Sequence, residues 1–324
     1  MKAERRNAAG VSEHRLDREA GRLVYPVVSR RSGGLSVGVN LFPDLKTCNF
    51  DCPYCEVFPF PEARPFSLAR FESELGEFLD EGWAASWAPE TVRDICISGN
   101  GEPSLSPLLE EAAALCAAAR SVRPELLGGA RLVLITNSTG FLSERGRGVL
   151  GRVQDLGFEL WAKLDGGDQA AFERLSRSRY ALGDIVEGLR IYAAERPLVV
   201  QTMLCEVEGV SPGDGEMAAY ARTVAELLRS GARLSSIQLY TLARPASGGA
   251  CRALGDAEML RLAEVLSLAL ASAPAEGAPP PIELFGSRGN IGSEGAPGFG
   301  RAASSGSGRA AGGRGGPAAA SESA

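Results

Sequence analysis

The chain has 324 residues, 44% hydrophobic and 23% charged, with 7 Cys, one His and a formal net charge of -6. No stretch approaches the roughly 18 consecutive apolar residues of a membrane helix, and the first 22 residues are charged throughout, without the apolar centre of a secretory signal. These features point to a cytoplasmic protein with no membrane contact, in which an odd number of cysteines argues for metal or redox chemistry rather than a disulfide framework.

A single histidine leaves little material for Ser/His or Cys/His triads, and His14 lies in a charged segment where a solvated role is expected. The charge is uneven. Residues 1–31 hold 8 Lys/Arg against 4 Asp/Glu and residues 287–324 hold 4 against 2, so the stretch between carries -12. Basic ends of this kind are usually solvated tails, though they also suit nucleic acid. The last 38 residues contain 11 Gly, 9 Ala and 7 Ser, too little apolar surface to offset the ordering of the backbone. The expected organisation is a flexible segment over 1–23, one large domain over 24–286 and a disordered tail over 287–324.

In chain order, strands are predicted at 35–41, 92–98, 131–136, 158–164, 198–204 and 236–241, all short runs of β-branched or apolar residues. Helical spacing of apolar residues falls between them, over 68–79, 108–119, 149–156, 185–192 and 217–228, with a last helix starting near Asp256. Ser106, Pro107, Glu110 and Glu111 read as a capped helix start. Strands each followed by a helix imply a parallel α/β sheet with right-handed crossovers, doubly wound or curled into a partial barrel. In either case chemistry gathers at the carboxyl ends of the strands.

The first strand is followed by Cys48, Cys52 and Cys55, a Cys-x3-Cys-x2-Cys run. Three thiolates so close can face one centre if the loop wraps it, and soft sulfur selects an iron–sulfur cluster, zinc or copper(I). A structural zinc site normally takes a fourth Cys or His, and none follows at finger or ribbon spacing. Three ligands without a fourth suit a cubane with one iron open.

This spacing, with Tyr54 before the third cysteine, resembles the signature of the radical S-adenosylmethionine (radical SAM) superfamily. Residues 26–56 resemble a branch of iron–sulfur oxidoreductases grouped with wyosine-type transfer-RNA modification enzymes. The likeness continues through ISGNGEP (97–103), LITNSTGF (134–141), KLDGGD (163–168), VEGLR (186–190), VVQTML (199–204) and IQLYTLARP (237–245). The resemblance implies a partial (β/α)6 barrel and a 4Fe-4S cluster on Cys48, Cys52 and Cys55. It also implies S-adenosylmethionine on the open iron, cleaved reductively to a 5′-deoxyadenosyl radical that abstracts hydrogen from a substrate. An external one-electron donor, flavodoxin- or ferredoxin-like, would be needed, and Tyr54 would lean toward the adenine.

Other candidates lie at strand ends. Gly99, Asn100, Gly101 and Glu102 resemble the glycine-rich turn that binds the methionine amino group, with Gly-Asn-Gly-Glu where the superfamily usually has Gly-Gly-Glu. Glycines allow close backbone approach and Glu102 offers a counter-charge to an ammonium, although Gly and Pro here also suit a plain turn. Asn137 and Ser138 suit ribose or carboxylate, or equally a cap. Lys163 could meet a carboxylate and Asp165 a hydroxyl, or the two could form a rim ion pair. Gln201 and Thr202 alternate faces, and Gln201 is the one expected to face the cavity. Arg244 is a fork for carboxylate or phosphate, and Arg30 and Arg31 could act alike. Cys96 and Cys116 read as core residues, and Cys205 and Cys251 as isolated thiols, so one cluster is expected. The substrate stays open between transfer RNA, a peptide and a small metabolite. Two rival readings are an iron–sulfur electron-transfer or cluster-carrier protein and a structural zinc protein.

Overall fold

The computed structural model describes residues 21–57, 64–82, 92–272 and 278–292. Residues 1–20 of the expected flexible segment (1–23), His14 among them, and residues 293–324 of the expected tail (287–324) lie outside the described residues. The strands are β1 (Val24–Ser29), β2 (Gly34–Asn40), β3 (Val92–Ser98), β4 (Arg131–Thr136), β5 (Phe158–Lys163), β6 (Leu198–Met203), β7 (Cys205–Val207), β8 (Leu234–Tyr240), β9 (Cys251–Ala253) and β10 (Ile282–Phe285). The main helices are α1 (Leu68–Glu77), α2 (Leu109–Val122), α3 (Pro124–Leu127), α4 (Glu144–Asp155), α5 (Gln169–Ser176), α6 (Leu182–Glu195), α7 (Asp214–Arg229) and α8 (Asp256–Ala271).

One sheet has the order β1-β2-β3-β4-β5-β6-β8-β10, curled into a half-barrel. It is parallel except for β1, which pairs antiparallel with β2. The sequence predicts its six central strands; β1 and β10 extend them. Pro26 obscures β1 in the sequence, and its place on an edge strand explains why a residue without an N–H is tolerated there. Helix α5 also lacks a sequence prediction; Asp168 caps it, accepting from Ala171 N at 2.9 Å. The predicted cap at Ser106 is shifted: its hydroxyl accepts from Leu108 N at 3.3 Å, one turn ahead of α2, which starts at Leu109.

Alternation along the strands divides the two faces. Leu132, Leu134, Leu160, Ala162, Leu198, Val200, Ile237 and Leu239 belong to the main core against the helices. Their alternates Val133, Ile135, Trp161 and Val199 form a separate cluster on the concave face. Both faces are buried, which is why these strands read as nearly continuous apolar runs. Leu23 is fully buried, and Ile291 packs on the core while its N–H reaches Leu284 O at 2.9 Å. Among the described residues, no helix is long and apolar enough to cross a membrane.

Candidate functional site

The loop carrying the three cysteines lies across the carboxyl ends of the strands, pinned along its length. Thr47 N–H donates to Asn100 O at 3.1 Å and Thr47 O accepts from Glu102 N at 2.8 Å. Asp51 N reaches Ser176 O at 3.0 Å, and Ser247 N reaches Cys55 O at 2.8 Å. Phe50 anchors the centre, edge-on to Phe172 of α5 at 5.8 Å.

The loop closes over a cavity of about 300 Å³ bordered by Cys48, Cys52, Cys55, Tyr54, Gly99, Gly101, Glu102, Asn137, Lys163 and Arg244. Of the residues predicted from sequence, Asn100, Ser138, Asp165 and Gln201 do not border it. Asn100 is fully buried, its N–H on Asn40 Oδ1 at 3.1 Å. Ser138, at φ 75°, turns its hydroxyl to Lys163 O at 2.7 Å. Asp165 accepts from Met203 N at 2.8 Å and from the Tyr54 hydroxyl, which ties β5's end to β6 and to the cysteine loop. Gln201 does lie on the concave face, but it contacts Arg31 and Gln238. Thr202, on the other face, meets Tyr220 of α7 at 2.6 Å.

Glu102 is only 2% exposed and its carboxylate is already engaged, by Ser104 N at 3.0 Å, Thr136 Oγ1 at 2.7 Å and Asn137 N at 2.6 Å. Burial raises its pKa while these donors oppose the rise, and the three bonds make it a brace between two strand ends. A Cβ on Gly101 would stand 2.0 Å from Thr47 O, so this glycine is required by the cysteine loop's own backbone. Gly99, at φ +129°, does have a backbone conformation that side chains disfavour.

Lys163 Nζ donates to Tyr54 OH at 2.7 Å, sits 4.4 Å above that ring and 3.6 Å from Asp165. Burial pulls the ammonium down, but Tyr240, Asp165 and the nearby thiols outweigh it and hold the pKa above its ordinary value. Burial pushes the Cys52 thiol up to about 11 and raises Cys48, with Lys163 opposing both. Ligating a metal would displace those protons. Asn137 Nδ2 lies 3.7 Å from Cys48 Sγ and 2.6 Å from Asn49 Oδ1, and Asn49 in turn donates to Thr139 Oγ1 at 2.8 Å. Asn49, Asn40 and Gln238 had no sequence signal beyond being polar near a strand end or within a strand.

Among the described residues no three Cys, His, Asp or Glu side chains converge closely enough to hold a single metal ion. Thiolates on separate irons of a cubane stand further apart than ligands of one ion, so this bears on a mononuclear site and not on a cluster. Three soft donors on one short loop at one cavity suit the cluster.

No protein-family model matches the chain. Over 242 residues, 73% of this chain and 70% of the relative, it is 27% identical to a UPF0026 protein of Helicobacter pylori strain ATCC 700392 / 26695. It is 28% identical over 242 residues to the UPF0026 protein of strain J99 / ATCC 700824. A crystal structure of BtrN in complex with AdoMet and 2-DOIA matches 43% of this chain and 50% of its own, at 20% identity and a TM-score of 0.27. A superposition that low carries no inference about fold or chemistry.

Proposed function

We propose that this chain is a radical SAM enzyme whose 4Fe-4S cluster is held by Cys48, Cys52 and Cys55, one iron being left to S-adenosylmethionine. The observation that carries the proposal is the convergence of the three thiols, the Gly99–Glu102 turn and Asn137 on one cavity at the carboxyl ends of parallel strands. When bound, the reduced cluster would supply the one electron needed to cleave S-adenosylmethionine to methionine and a 5′-deoxyadenosyl radical, for hydrogen abstraction from a substrate. A flavodoxin- or ferredoxin-like donor would supply that electron.

The chain's own residues then have distinct tasks. Asn137 presents an amide N–H to the Cys48 sulfur, and such hydrogen bonds tune a cluster's potential. Lys163, fixed by Tyr54 and Asp165, offers a half-buried cation to a carboxylate. Glu102 ties the end of β4 to the turn after β3, holding Asn137 and the glycines in one geometry. An electron carrier would have no use for a cavity of this size behind the thiols.

The test is anaerobic reconstitution with iron and sulfide, then addition of S-adenosylmethionine and dithionite. Broad visible absorption, cofactor binding and 5′-deoxyadenosine are expected. A colourless zinc protein, or an iron–sulfur protein that neither binds nor cleaves the cofactor, would sink the proposal.

A further inference from the structure

The loop after edge strand β1 reaches across the open side of the half-barrel. Arg30 donates to Thr241 O at 2.7 Å and to Gly286 O, both beside the opposite edge of the sheet. Arg31 lies with its guanidinium carbon 4.8 Å above the Tyr240 ring and 5.8 Å from that of Trp161, and it borders the cavity. It is held there by a row of polar side chains. Arg31 donates to Gln201 Oε1 at 3.2 Å, Gln201 to Gln238 Oε1 at 2.6 Å, and Gln238 to Glu283 Oε2 at 2.8 Å. The three acceptors are direct register partners on β6, β8 and β10, so the relay runs straight across the concave face.

On the outer surface Arg152 pairs with Glu110, Arg190 with Glu187 and Arg196 with Asp155, each at 2.6 Å. At the cavity Arg30, Arg31 and Arg244 lie together on the lining, with Glu56 on Arg244 at 2.7 Å and Glu102 elsewhere on the same lining. Burial and then the neighbouring Arg31 pull Arg30 down to about 10, although Glu56 acts against them. A concave cationic wall in a domain whose middle is strongly acidic suits a small anion better than the backbone of a polyanion.

We propose that Arg31, backed by Arg30, docks the oxyanion of a small substrate, a carboxylate or a phosphate, and that Gln201, Gln238 and Glu283 are the residues that position it. A guanidinium stacked on an aromatic face keeps its in-plane N–H fork for such a group. The word substrate rests on the radical SAM reading; the anion site does not.

The experiment is calorimetric titration of the full chain, reconstituted with iron and sulfide and saturated with S-adenosylmethionine, with inorganic phosphate and separately with malonate. Saturable binding of at least one is expected, weakened tenfold or more by Arg31→Ala, less by Arg31→Lys, and unchanged by the surface variant Arg190→Ala. Gln201→Leu should weaken it several-fold in the parent but add nothing in the Arg31→Ala background, which a merely structural role would not predict. Four results would overturn the proposal. These are no binding of either anion, binding indifferent to Arg31, binding abolished by S-adenosylmethionine, and Arg31-dependent binding of a transfer-RNA transcript without binding of the small anions. If 5′-deoxyadenosine forms while anion binding fails, only this inference falls. If anions bind through Arg31 but no 5′-deoxyadenosine forms, the radical reading falls and the site stands.

Discussion

The backbone of Thr47 runs beside Gly101 as a single parallel bridge, its N–H on Asn100 O and its carbonyl on Glu102 N. The loop that bears the cysteines and the turn after β3 are therefore one backbone unit, and a change in either displaces both.

Gly101→Ala tests that coupling. The added Cβ would meet Thr47 O at 2.0 Å, a backbone atom that can retreat only by moving the cysteine loop. We expect a loss of about 1–3 kcal/mol or more in stability, accompanied by reduced iron content after reconstitution. Urea unfolding and iron analysis measure the two, and an alanine variant with normal iron and stability would show that the bridge does not couple them.

Cys52→Ala should abolish the cluster. Cys52 borders the cavity between Cys48 and Cys55, and its amide partner geometry, Cys55 N on Cys52 O at 3.0 Å, makes it the pivot of the loop. Iron, sulfide and visible absorption are the readouts. Retention of the full cluster with turnover would remove Cys52 from the ligand set.

Glu102→Gln should cost about 1–3 kcal/mol, because an amide NH2 would replace an oxygen that now accepts from Thr136, Ser104 or Asn137. The displaced Asn137 should also weaken S-adenosylmethionine binding, which calorimetry would detect. A variant stable as the parent would mean that water replaces the brace.

Tyr220→Phe serves as the contrasting case. Its hydroxyl meets Thr202 Oγ1 at 2.6 Å on the helix side of β6, away from the cavity. A loss of about 1 kcal/mol is expected, with iron content and cofactor affinity as in the parent. A fall in either would mean that the two faces of the sheet are mechanically linked.

The sequence by itself determined the central strands and helices, because apolar residues at steps of two and of three to four report burial directly. It also determined the cysteine run, since three thiols within eight residues must share a loop whatever the fold. Period-two alternation put Gln201 and Thr202 on opposite faces of the sheet, as their partners Arg31 and Tyr220 show. What Gln201 does there was decided only by register: β6, β8 and β10 place Gln201, Gln238 and Glu283 side by side, though 82 positions separate the first from the last. Spacing likewise showed Glu102 at a strand end, while only the approach of β4 shows that Thr136 and Asn137 donate to its carboxylate beside Ser104 N. Local spacing fixes which residues share an element and a face. Which polar group meets which depends on long-range pairing, and that is settled by the tertiary packing of strands far apart in the chain.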